Sequence, residues 1–185
     1  MLVLGLCGSL RSDSYNHKLL EAARAALPDG ASLEIYEGLA ALPAYNDDIE
    51  AHETPQAVSA LRAAIAEADA VLVATPEYNS SIPGLLKNAL DWASRPFPNN
   101  ALRGKPAAVV GASTGLFGAV WAQAETRKVL EAIGARVLDE ELPVTSAHQA
   151  FADDGGLIEP GIRSGLANVV HQLLHVTSAP ACQPA

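Results

Sequence analysis

Three stretches of this sequence gather residue types suited to holding a ligand. The first is Gly8-Ser9-Leu10-Arg11-Ser12-Asp13-Ser14-Tyr15-Asn16, set between an apolar run and a helical pattern. A loop that opens a helix aims backbone N–H groups and the positive end of the helix dipole at its contents, which makes it an anion site. Ser9, Ser14 and Asn16 add neutral donors, and Arg11 adds a planar cation suited to phosphate. The spacing is neither G-x-G-x-x-G nor G-x-x-x-x-G-K-[ST], so the dinucleotide and nucleoside-triphosphate fingerprints are both missing. One cation among several neutral donors suggests a single phosphate. Any one serine here would pass as a helix cap or turn former, but Arg11 beside four hydroxyl or amide side chains tips the balance.

The second stretch runs from Thr75 through Pro76-Glu77-Tyr78-Asn79-Ser80-Ser81-Ile82-Pro83 to Trp92. Pro76 and Pro83 restrict the backbone on either side of polar residues, giving a rigid edge that can present amides to a flat ring. Tyr78 could stack on such a ring and Asn79 could bond to its heteroatoms. Trp92 reads better as core filling. The third stretch is Gly111-Ala112-Ser113-Thr114-Gly115-Leu116-Phe117-Gly118, whose glycines let backbone approach a flat ligand. It also spells G-x-S-x-G, the nucleophile elbow of serine hydrolases, with Asp139 and His148 following in hydrolase order. No glycine-rich oxyanion segment precedes it, the chain is short for that fold, and the reading leaves the first two stretches unexplained.

The elements that must carry these loops alternate along the chain. Apolar runs at Leu2 to Cys7, Leu33 to Tyr36, Ala70 to Thr75, Ala107 to Ala112 and Ala135 to Leu138 predict five strands, the continuous ones covered on both faces. Between them lie five helical patterns. Asn16 caps a helix with Leu19, Leu20, Ala23 and Leu27 on one face; Thr54 caps and Pro55 opens one bearing Val58, Leu61 and Ile65. Pro83 opens a third, the fourth spans about Ala119 to Ile133 with Gly134 as its stop, and the last holds Ile162, Leu166, Val169, Val170 and Leu173. Alternating β and α elements make a parallel sheet with right-handed crossovers, and five strands favour the flavodoxin-like α/β order 2-1-3-4-5. Ligands of such sheets sit beyond the strand ends where the winding reverses, so loops 8–16, 75–83 and 112–118 should form the site.

Those loops closely resemble the NADPH-dependent FMN reductase family, which includes quinone, chromate and azo-dye reductases. The match rests on Gly8-Ser9-Leu10-Arg11 with Ser14 and Asn16, and on Pro76-Glu77-Tyr78-Asn79 through Pro83-Gly84-Leu85-Leu86-Lys87-Asn88-Ala89-Leu90-Asp91-Trp92. The resemblance implies bound FMN, no metal, NADPH or NADH as electron donor, a quinone or similar small acceptor, and a homodimer or homotetramer built as a dimer of dimers. It places Ser9, Arg11, Ser14, Tyr15 and Asn16 around the phosphate, Pro76, Glu77, Tyr78 and Asn79 along the isoalloxazine, and Ser113, Thr114, Gly115 and Gly118 in the third flavin loop. Chemistry would then occur at flavin N5, with no catalytic side chain. Where the family commonly has an arginine in the first turn after this loop, the chain has Trp121. Arg127 matches a family position near the subunit contact, or else is a solvated charge beside Glu131. The rival of another class is a flavodoxin-like electron carrier, whose acidic surface the net charge would suit; carriers, however, typically lack an arginine in the phosphate loop.

The 185 residues are 49% hydrophobic, enough for one domain, drawn here as 1–176 with a disordered tail at 177–185. A formal charge of −9 opposes nucleic-acid binding. No apolar run is long enough for a bilayer and the start lacks a leader, so a cytoplasmic protein is expected. Cys7 and Cys182 support neither a disulfide framework nor a metal site. His171 and His175, four apart, lack a third ligand, and Asp47-Asp48 and Asp153-Asp154 read as solvated loops.

Overall fold

Period-two alternation along the central strands decides which helices cover which face of the sheet. The computed structural model describes residues 1–178. Its strands are β1 (Leu2–Cys7), β2 (Ser32–Ile35), β3 (Ala70–Ala74), β4 (Pro106–Ala112), β5 (Arg136–Val137) and β6 (Pro143–Val144). Its helices are α1 (Tyr15–Ala25), α2 (Asp47–His52), α3 (Gln56–Glu67), α4 (Gly84–Ala93), α5 (Val120–Ile133), α6 (Ala147–Ala150) and α7 (Pro160–Ser178). All strand pairs are parallel in the order β2-β1-β3-β4-β5, as the alternating pattern predicts. Val3, Leu72 and Val110 pack with Leu19 and Leu20 of α1 and Leu166 and Val170 of α7. Leu4, Val71, Val73 and Val109 point the other way, toward Leu61 and Ile65 of α3, Leu86 and Leu90 of α4 and Leu130 of α5.

The predicted fifth strand is split. β5 pairs Pro106 and Ala107, while β6 pairs Gly111 and Ala112 on the opposite end of the same strand. The buried Gln123 amide bridges nearby: its Nε2 donates to Leu142 O at 3.3 Å and to Gly118 O at 3.0 Å, and its Oε1 accepts from Leu142 N at 3.3 Å. Leu142 O also accepts from Gly111 N, so the group that depends on Gln123 at the break is Leu142 N.

Several expected boundaries move. Ser14, not Asn16, caps α1, its Oγ accepting from His17 N at 3.3 Å. Pro55 sits at the N-cap of α3 instead of in its first turn. The last helix runs through Ser178, so Thr177 and Ser178 belong to it rather than to a tail; tail positions 179–185 lie outside the described residues. The short elements α2 and α6 and the 3-10 turn Gly38–Ala41 were not anticipated.

Candidate functional site

The three loops leave neighbouring strands on one edge of the sheet, and short contacts fix them to one another. Gly8 N donates to Ala74 O at 2.8 Å. A Cβ on Gly8 would stand 3.1 Å from Pro76 Cδ and 3.4 Å from Thr75 Cα, so glycine lets the first loop run against the second. Within the first turn of α1, His17 N is satisfied by Ser14 Oγ and Lys18 N by Ser14 O. The Tyr15 and Asn16 amides remain as the open donors of the helix end. Lys18 Nζ lies 2.5 Å from Asp13 Oδ1, and this hydrogen bond and charge hold the Asp13 carboxyl below its ordinary range. Arg11 forms no side-chain hydrogen bond or ion pair among the described residues. Of the two nearby cations, therefore, Arg11 is the one left for an anion.

Asn16 has a different use from the one the resemblance assigns. Its Nδ2 donates to Ala112 O at 3.0 Å and its Oδ1 accepts from Ala112 N at 2.9 Å, with the residue buried. The side chain ties the first loop to the third, which leaves its backbone amide as the group open toward the cleft.

In the second loop Tyr78 and Ser81 exchange backbone hydrogen bonds of 3.0 and 3.1 Å across Asn79 and Ser80, whose φ angles are 54° and 59°. This is a two-residue turn with both central residues left-handed, a conformation asparagine tolerates. Glu77 points the other way, toward α5, where Oε2 accepts from Trp121 N at 3.1 Å and Ala122 N at 3.2 Å. The N-cap position of that helix is Ala119, which has no side-chain oxygen, so Glu77 caps it from another loop.

The third loop is pinned at Gly118, with φ +58°, where a Cβ would lie 2.6 Å from the Pro143 carbonyl carbon. Ser113 Oγ accepts from Gly115 N at 3.1 Å. Ser113 is absent from the positive-φ residues, and α5 starts only at Val120. The strained strand-to-helix turn of a nucleophile elbow is not formed, and Asp139 and His148 are exposed, which removes the geometric basis for a hydrolase.

A cleft of about 140 Å³ opens between the loops, lined by Ser9, Arg11, Ser14, Tyr15, Asn16, Pro76, Glu77, Tyr78, Ala112, Ser113 and Thr114. Asn79 stands at the exposed turn tip outside this lining, and Gly115 and Gly118 shape the third loop from behind it. Ala112 is the lining residue that sequence reading missed, because a small apolar strand end carries no chemical signal. A second cleft of about 230 Å³ lies across Arg11, toward β2, and includes His17 and Glu37. The Glu37 carboxylate there, 3.6 Å from His17 Nε2, opposes an anion, whereas the Glu77 carboxylate of the cleft between the loops is engaged by the Trp121 and Ala122 N–H groups, so charge favours the latter for a phosphate. Its donor set fits a phosphate monoester at the Arg11 end and a flat ring between Pro76, Tyr78 and the Ser113-Thr114 backbone.

The remaining candidates are structural. Trp92 is fully buried and its Nε1 donates to Pro43 O at 2.8 Å. Arg127 is buried and donates to the Glu141 carboxylate and, at 3.4 Å, to Glu140 O, which displaces the solvated pairing with Glu131. Asp47 accepts from Tyr45 Oη at 2.9 Å and Asp154 from Gly156 N at 2.9 Å. His171 and His175 are exposed, and no group of three or more metal-ligating side chains occurs among the described residues.

A parallel sheet wound 2-1-3-4-5, with an Arg11-bearing loop after β1 and a cleft shared with the loops beyond β3 and β4, defines the class of flavodoxin-like proteins. More narrowly, the chain belongs to the NADPH-dependent FMN reductase family, whose sequence profile matches residues 1–149. It is 46% identical over 162 residues to an NAD(P)H-dependent FMN reductase of Pseudomonas aeruginosa, covering 87% of this chain and 86% of that one. It is 42% identical over 151 residues to a quinone reductase of Pseudomonas putida, covering 81% of each. The structure of the flavoenzyme NAD(P)H:(acceptor) oxidoreductase FerB from Paracoccus denitrificans superposes with a TM-score of 0.83 at 37% identity, over 95% of this chain and 96% of FerB.

Proposed function

We propose that this protein is an FMN-dependent NAD(P)H oxidoreductase that hands electron pairs to quinones or similar small acceptors. The observation that carries the reading is the cleft itself, with an unpaired Arg11 at one end and flat, proline-braced backbone at the other. FMN bound there supplies the redox chemistry, so that NAD(P)H and a proton convert a quinone to its hydroquinone with release of NAD(P)⁺. The chain's part is position. Arg11, Ser9 and the open amides of α1 hold the phosphate and fix how deep the ligand sits. Pro76 to Tyr78 and Ser113 to Thr114 fix the plane of the ring, leaving one face for donor and acceptor in turn. Asn16 and Glu77 keep the three loops at constant separation, because each bonds the backbone of a neighbouring loop or helix.

The deciding measurement is the visible spectrum of the purified protein under anaerobic conditions. Bleaching of a flavin band by NADPH or NADH alone, and its return on adding a quinone, is expected. A flavin that stays oxidised without a separate reductase would identify an electron carrier instead.

The same reading extends to assembly and location. The inner face of α4 is buried within the subunit, through Leu86, Ala89, Leu90 and Trp92, so the helix can meet a partner only with its outer side and the loop that follows it. Phe97, 74% exposed in the following loop, supports self-association as a dimer or dimer of dimers through that loop. A reducing compartment suits the buried free thiol of Cys7, which supports the reading of cytoplasmic residence. No described helix is long and apolar enough to cross a membrane.

A further inference from the structure

Large apolar side chains gathered in water mark a surface that meets something. Leu116, Phe117 and Trp121 are 80%, 58% and 46% exposed, and all three belong to the third loop or the first turn of α5. The Phe117 and Trp121 rings lie 4.8 Å apart at 59°. The turn of α5 that carries Trp121 is tied to the cleft through one of its lining residues and to the neighbouring turn through a second bond. Glu77, which lines the cleft, accepts from Trp121 N at 3.1 Å. Ser81, at the far side of the Tyr78 turn, donates to the Glu125 carboxylate one helical turn further along α5. Tyr78 lies between these two ties and is 48% exposed. The Gly118 contact with Pro143 fixes the backbone between Phe117 and Trp121.

Trp121 brings a second property. Its backbone N–H is bonded to Glu77, whereas its indole N–H has no partner among the described residues. An indole combines a broad stacking face with a single donor, and a quinone is a flat ring with carbonyl acceptors at its ends. Resting on the oxidoreductase reading above, we infer that Phe117 and Trp121 form the platform that selects and seats planar aromatic acceptors, with Trp121 Nε1 donating to a quinone carbonyl. Acceptors without a planar apolar face gain nothing from it.

The test uses the FMN-loaded protein and two acceptors, 1,4-naphthoquinone and ferricyanide, at saturating NADPH. Trp121→Ala should raise the KM for naphthoquinone about tenfold, the loss of an aromatic contact, and leave ferricyanide reduction and FMN content unchanged. Trp121→Phe should recover part of the loss, since it restores a face without the donor. Fluorescence gives a readout independent of turnover: Trp92 is fully buried and serves as background, so saturable quenching by naphthoquinone should vanish in Trp121→Phe. An unchanged naphthoquinone KM in Trp121→Ala, or equal losses with both acceptors, overturns the inference. A changed sedimentation coefficient in Trp121→Ala overturns it too, by showing that this face seats a second copy of the chain. Failure of the unsubstituted protein to reduce either acceptor would instead sink the oxidoreductase reading.

Discussion

The side chain of Asn16 bonds both backbone groups of Ala112, 96 positions away, donating to its carbonyl at 3.0 Å and accepting from its N–H at 2.9 Å. The clasp is buried and joins the helix that opens the phosphate cradle to the strand that ends beside the ring slot. Asn16→Ala would strand both Ala112 backbone groups, a cost of about 1–3 kcal/mol. Urea unfolding should show that loss, and FMN affinity should fall with it because the two ends of the cleft are no longer held at one spacing.

Arg11 is the side chain that should dominate cofactor affinity, since Lys18 is already neutralised by Asp13. Arg11→Ala removes a charge-assisted contact worth about 1.5–3 kcal/mol, or roughly 10- to 150-fold in Kd. Titrating the apoprotein with FMN checks this, and an unchanged Kd would place the phosphate elsewhere.

Ser113 should behave as a loop residue. Its Oγ is engaged by Gly115 N, so a fluorophosphonate probe should leave it unmodified and Ser113→Ala should keep much of the reductase activity. Stoichiometric labelling of Ser113 accompanied by ester hydrolysis would reverse the assignment.

Burial pushes the Cys7 thiol above its ordinary value of 9.0, with its bonds to Ser9 and Ser14 opposing the shift. Folding therefore favours the protonated thiol. The stability this confers is complete below about pH 9 and is lost as pH rises beyond it. Two results should follow: iodoacetamide at pH 8 should modify Cys7 only after denaturation, and the unfolding midpoint should fall more steeply above pH 9 than it does in Cys7→Ala.

The sheet order and the meeting of the three loops at one cleft were legible because β1, β3 and β4 are continuous apolar runs and the winding rule says where such strands leave a crevice. What escaped was whatever depends on a distant partner. Ser14 and Asn16 are equally good caps two residues apart, and only the fold reveals that Asn16 is needed at Ala112. Glu77 read as a ring neighbour and does line the cleft, while the use of its oxygen in completing α5, which Ala119 cannot do, was not legible. Arg127 stands one turn from Glu131, the expected surface pairing, yet turns inward to Glu141. β6 has two residues, one of them proline, and no periodicity can announce a strand that short.

The broken fifth strand also bears on how the protein tolerates crowding. Exposed sheet edges are templates on which other chains can add strands. Here one edge is β2, four residues long, and the other is divided into β5 and β6 with two residues each. Pro143 removes an N–H from the second of these pieces, and the chain between them bends toward Gln123. Each margin offers an added strand only a short run of backbone, at most the four residues of β2. Short margins of this kind limit strand addition at both ends of the sheet.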